Sequence, residues 1–91
     1  MDPESESFAA ECFWPDVRDE DVRALDSRIA ACLTPNVRYL GSILLRDDEV
    51  VLCQFEGSAA AVQEVAERAE IPFERILATT YLPSPLSRNA G

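Results

Sequence analysis

Two stretches of this chain repeat their apolar residues every three or four positions, and each lies between runs rich in β-branched and aromatic residues. That alternation limits the fold more than any other feature, because period 3.6 marks a one-sided helix and period 2 a strand. In the first helical stretch Val22, Leu25, Ile29 and then Cys32 or Leu33 form one stripe, with Arg23, Asp26 and Arg28 outside it. Asp16 or Asp19 is the expected cap, and Asp19, Glu20 and Asp21 put negative charge at the positive end of the helix dipole. Thr34-Pro35-Asn36 stops this helix. In the second stretch Ser58 caps a helix over Ala59 to Glu70, with Val62, Val65, Ala66 and Ala69 as its buried stripe and Ile71-Pro72 as its end. The β-rich runs predict strands over Phe8 to Trp14, Val37 to Arg46, Val50 to Glu56, and Arg75 or Ile76 to Leu82. The acidic Asp47-Asp48-Glu49 forms the hairpin tip between the second and third.

The order is therefore βαββαβ. With right-handed crossovers it leaves one sensible topology, the α+β ferredoxin-like plait, in which both helices lie on one face of a four-stranded antiparallel sheet. Residues 1–7 read as a disordered acidic lead, 8–82 as a single domain and 83–91 as a flexible tail with little to bury.

In a plait the helices cover one sheet face, and the other face is polar where it meets water. These strands are apolar on both sides. Strict alternation puts Val37, Tyr39, Ile43 and Leu45 on one side of the second strand and Leu40 and Leu44 on the other. The first strand offers Phe8, Cys12 and Trp14 against Ala9 and Phe13, and the third Val51, Cys53 and Phe55 against Val50 and Leu52. The second face is thus expected to be covered, most simply by another copy in a twofold, sheet-to-sheet homodimer.

Charge narrows the function. Seventeen acids against eight basic residues give −9, and all eight basic residues are arginine. Such a body repels phosphate backbones and anionic membranes, which argues against nucleic acid and membrane partners. No apolar run is long enough for a membrane span, and the acidic start lacks the basic region of a secretory signal. The chain contains no histidine, which removes the commonest general base and the commonest transition-metal ligand. Cys12, Cys32 and Cys53 form no C-x-x-C pair and sit in apolar company, as reduced structural thiols of a cytoplasmic protein do.

The polar residues within the presumed second face are the candidate site. Glu11 lies in the first strand, Arg38 and Ser42 in the second, Gln54 and Glu56 in the third, and Tyr81 ends the fourth. Because the first and third strands are neighbours in this topology, Glu11 is expected near Gln54 or Glu56, where two carboxylates work as an acid/base pair or hold a cation. The plainer expectation is that Glu56 caps a strand end in water and Glu11 pairs with an arginine across the sheet or the dimer. The tip Asp47-Asp48-Glu49 lacks the spaced oxygen ligands of a calcium loop and reads as solvated.

In order along residues 8–80, several pieces resemble a family of small bacterial proteins described as nickel-binding. They are Glu11 before the Trp14-Pro15 turn, the helix start Glu20-Asp21-Val22, the strand Val37-Arg38-Tyr39-Leu40-Gly41-Ser42, Cys53 followed by Glu56, and Arg68-Ala69 before Pro72 with Arg75-Ile76 after it. The resemblance implies a ferredoxin-like fold, a dimer and nickel as the cofactor. The chain departs from the family pattern at Glu70, where glycine is usual, and in lacking the histidines that nickel chemistry expects, so the expectation for this chain is no cofactor, with nickel as the alternative.

Three readings follow. The first is a non-catalytic homodimer that binds a small ligand or a partner protein. The second is a cofactor-free plait-barrel enzyme (an isomerase, cyclase or monooxygenase) with Glu11 as acid/base and Phe13, Tyr39, Ser42, Gln54, Glu56 and Tyr81 on the pocket or dimer face. The third is weak binding of nickel or another metal.

Overall fold

Sequence order and spatial order differ in the way a plait requires. A computed structural model describes residues 6–80 and residue 82. Its elements are β1 (Glu6–Phe13), α1 (Asp19–Cys32), β2 (Arg38–Leu45), β3 (Val50–Gly57), α2 (Ala59–Arg68) and β4 (Arg75–Thr79). The strands form one antiparallel sheet in the order β2-β3-β1-β4. This is the α+β ferredoxin-like plait. No helix among the described residues is long and apolar enough to cross a membrane.

Strand β1 begins at Glu6, opposite Gly57, so two residues expected in the acidic lead belong to the sheet. Strand β4 ends at Thr79, three residues short of the expected Leu82. The rest of the lead (residues 1–5), Tyr81 and the tail at 83–91 lie outside the described residues.

Helix α1 buries Val22, Leu25 and Ile29, the stripe that its periodicity marks out. Neither Asp16 nor Asp19 caps it. The cap runs backwards, from the Arg18 backbone N–H, which donates to the Asp21 carboxylate at 2.9 Å. Helix α2 starts as expected, with Ser58 Oγ accepting from the Ala61 N–H at 3.2 Å. Its end is a Schellman turn built on a poor residue. The Ile71 N–H reaches the Ala66 carbonyl at 3.0 Å and the Glu70 N–H reaches that of Glu67 at 3.1 Å, which forces Glu70 to φ +56°. Arg28 of α1 supports the turn by donating to the carbonyls of Ala69 and Glu70, at 3.0 and 3.2 Å.

The core lies between the sheet and the two helices. Phe8, Ala10 and Cys12 of β1 and Val51, Cys53 and Phe55 of β3 meet Leu25 and Ile29 of α1 and Val62, Val65 and Ala66 of α2. Full burial of each large side chain is worth about 1.5–3 kcal/mol.

One departure from regular alternation redraws the sheet. Tyr39 pairs with Phe55, but the next paired residue on β2 is Gly41, opposite Gln54. Leu40 is the extra residue of a β-bulge, and Gly41 takes φ +118°, which L side chains resist. Beyond the bulge every side chain changes face. Tyr39, Ser42 and Leu44 share the helix side, whereas Arg38, Ile43 and Leu45 lie on the open side. Strict alternation had grouped Tyr39 with Ile43, and Ser42 with Arg38. A glycine inside a strand is the signal that would have corrected both.

Candidate functional site

The open face can be read row by row from the register. One row runs Arg75, Glu11, Leu52, Ile43 across β4, β1, β3 and β2; the next runs Leu77, Ala9, Gln54, Gly41; the third runs Thr79, Ser7, Glu56, Arg38. Phe13, Val50 and Leu45 close the face at the β2–β3 hairpin end. Among the described residues no helix covers this side. Phe13, Leu40, Ile43 and Leu45 remain 55%, 48%, 44% and 38% exposed, an unusual concentration of large apolar side chains on one surface.

Glu11 and Glu56 are not neighbours. Glu11 stands opposite Leu52 and Glu56 opposite Ser7, about 14 Å apart along the strand direction at 3.4 Å per residue. Nor does Glu11 face Gln54, whose partner is Ala9. Each carboxylate instead reaches an arginine on the adjoining edge strand. Arg75 Nε donates to Glu11 Oε1 at 2.6 Å, and Arg38 donates to Glu56 Oε1 at 3.0 Å. Both pairs are direct cross-strand partners. Glu11 and Glu56 lie two residues from the Ala9–Gln54 pair in opposite directions, so the two ion pairs are placed alike about the middle of the sheet and tie each edge strand to the centre. Glu11 also stays on Arg75's guanidinium as the main cause of that group's raised pKa.

Tyr39 and Ser42, both expected to line the pocket or dimer face, belong to the helix side. The Tyr39 ring packs on Phe55 with centroids 5.1 Å apart, and its hydroxyl donates to Asp26 of α1. Burial, and then this hydrogen bond, push the Tyr39 phenol above its ordinary value of 10.0; a hydrogen bond with Ser42 opposes the shift. Cys53 is fully buried beside Cys12, and the hydrogen bond between the two thiols, with burial, raises its pKa. A thiol held protonated in this way is a core group and not a nucleophile. Of the six expected pocket residues besides Glu11, Phe13, Gln54 and Glu56 share the open face, Tyr39 and Ser42 face the helices, and Tyr81 lies outside the described residues.

Among the described residues the donors do not fit a nickel site. Two carboxylates stand apart and are engaged by arginine, two thiols are sealed in the core, and the chain has no imidazole. Among the described residues no three acidic, cysteine or histidine side chains gather as metal ligands do. Comparison with protein-family models, with curated proteins and with solved structures found no match.

Proposed function

We propose that this protein is a non-catalytic homodimer that works by association, with the open sheet face packed on the same face of a second copy. The observation that carries the reading is the uncovered apolar surface formed by Phe13, Leu40, Ile43 and Leu45, continued by the half-buried Leu52, Leu77 and Val50. Four strands about 4.8 Å apart and up to eight residues long present a face of about 19 by 27 Å. A stable interface hides about 800 Å² of accessible surface per partner, so a facing copy must cover the whole face, with the apolar corner as core and the two Arg–Glu pairs within or beside it. The face suits a second copy because each half carries both signs of charge, Arg75 with Glu11 and Arg38 with Glu56. The same pairing engages Glu11 in structure, which supports association over acid/base work. The three free thiols suit a reducing, cytoplasmic setting.

Sedimentation equilibrium of the full chain tests this. The expected mass is twice 10.1 kDa, and Ile43→Glu should weaken self-association at least tenfold by burying an unpaired charge, while the circular dichroism spectrum is unchanged. A monomer at every concentration, or a dimer indifferent to Ile43→Glu, contradicts the proposal.

A further inference from the structure

On the opposite side of β2 a second surface has a different chemistry. A shallow groove of about 230 Å³ runs between the first turns of α1 and the outer half of β2, lined by Asp19, Val22, Arg23, Ser42, Leu44 and Arg46. Two of the chain's eight arginines meet here in a protein of net charge −9. Arg46 holds Asp19 at 3.1 Å across the groove mouth. Arg23 is different. Five other arginines make ion pairs and Arg28 caps α2, whereas among the described residues Arg23 makes neither an ion pair nor a hydrogen bond. Ser42 reaches the groove only because the bulge at Leu40 and Gly41 turns it off the open face. Its hydroxyl joins the Tyr39–Asp26 pair, so the groove wall is a fixed polar group and not a free rotor. Val22 and Leu44 form an apolar floor between these polar groups.

We infer that this groove binds a small organic anion with one carboxylate or phosphate head and a short apolar body. Arg23 and Arg46 hold the head, Val22 and Leu44 receive the body, and Ser42, whose single O–H is engaged with Tyr39, only lines the wall. Guanidinium groups are the donors that match both heads. The volume receives a body of a single ring or a short chain. Asp19 sets selectivity: its carboxylate already occupies part of Arg46, so a bare inorganic anion gains less here than one whose body is also received. The site lies on the helix side of the sheet, and its failure would leave the open-face dimer untouched.

The test is a titration of ¹⁵N-labelled full-length protein at low ionic strength, followed through its amide resonances. The probes are phenyl phosphate, 3-phenylpropionate, inorganic phosphate and phenol. The expected result is saturable shifts at Val22, Arg23, Ser42 and Leu44 with one or both of the aromatic anions, the tighter of which names the head. Inorganic phosphate binds more weakly and phenol gives no saturable shift. Arg23→Gln weakens binding by about tenfold or more, the loss typical of a charge-assisted hydrogen bond, and leaves the rest of the spectrum in place. Arg68→Gln, on α2, changes nothing. Three outcomes overturn the proposal: no saturable shift at these residues, equal weakening by Arg23→Gln and Arg68→Gln, or phenol binding as well as phenyl phosphate.

Discussion

Strand β3 reads Val50-Val51-Leu52-Cys53-Gln54-Phe55, nearly apolar on both sides, yet its two faces end differently. Val51, Cys53 and Phe55 are fully buried under the helices, whereas Leu52, Gln54 and Glu56 stay half-exposed on the open side. The same contrast appears at the end of β1, where Cys12 is sealed and its neighbour Phe13 is more than half exposed, although Ala9 in mid-strand is buried on the open side. The difference is one of cover and of composition together. The helix face is closed by the chain itself and holds no buried charge, whereas the open face sets a cluster of large apolar side chains beside two Arg–Glu pairs, with no covering layer among the described residues.

The largest effect that sharpens this contrast is Phe55→Ala. It should cost about 3–5 kcal/mol by leaving a cavity in a closed core, as read by urea unfolding. Ile43→Ala, on the open face, should cost the isolated protomer less than about 1 kcal/mol, because its side chain remains in water there. Equal losses at low protein concentration would show that the open face is a core in its own right and break the comparison.

Tyr39 gives the next effect, and it depends on pH. Its folded pKa lies above the ordinary 10.0, so the stability it contributes is complete below pH 10.0 and is lost as pH rises from there through the folded value. The unfolded chain ionises first and is favoured. Tyr39→Phe should flatten that alkaline loss, while costing about 1 kcal/mol at neutral pH by leaving Asp26 without its donor. Thermal melts from pH 8 to 11 are the check, and an unchanged alkaline slope in the variant contradicts the assignment.

Much of this fold was legible before the structure. Helical stripes of period 3.6 and strand runs of period 2 give the element order, and handedness gives the topology. Ser58 was legible as a cap because its residue type and its place before Ala59 agree. The candidate site was less so, for reasons of register. Alternation read from Tyr39 is right until Leu40, and one bulged residue then moves Ser42, Ile43, Leu44 and Leu45 to the opposite faces. The arginine partners of Glu11 and Glu56 depend on which residue of an edge strand stands opposite, which sequence spacing does not reveal over the 64-residue separation of Glu11 and Arg75. Glu70 is the reverse case. Its misfit with a glycine position was visible, and the structure shows the cost as a left-handed backbone with a bulky side chain.

Two smaller effects follow from those residues. Glu70→Gly should stabilise the protein by about 1 kcal/mol, the usual penalty of a non-glycine residue in the left-handed region. A lowered unfolding midpoint would contradict the Schellman assignment. Glu11→Gln should cost less than about 1 kcal/mol, because its partner Arg75 is largely in solvent. Measured where the chain is monomeric, a larger loss in denaturant titration would contradict this weak, exposed pairing.

The central claim is that the open face, and not the helix side or a sheet edge, meets the second copy. The direct measurement is an isotope-filtered NOE experiment on a mixture of ¹³C-methyl-labelled and unlabelled chains. The account predicts intermolecular contacts at the methyls of Ile43, Leu45, Leu52 and Leu77, several of them to the Phe13 ring. Contacts confined to α1, α2 or the edge of β4, or none in a sample that tumbles as a monomer, would contradict it.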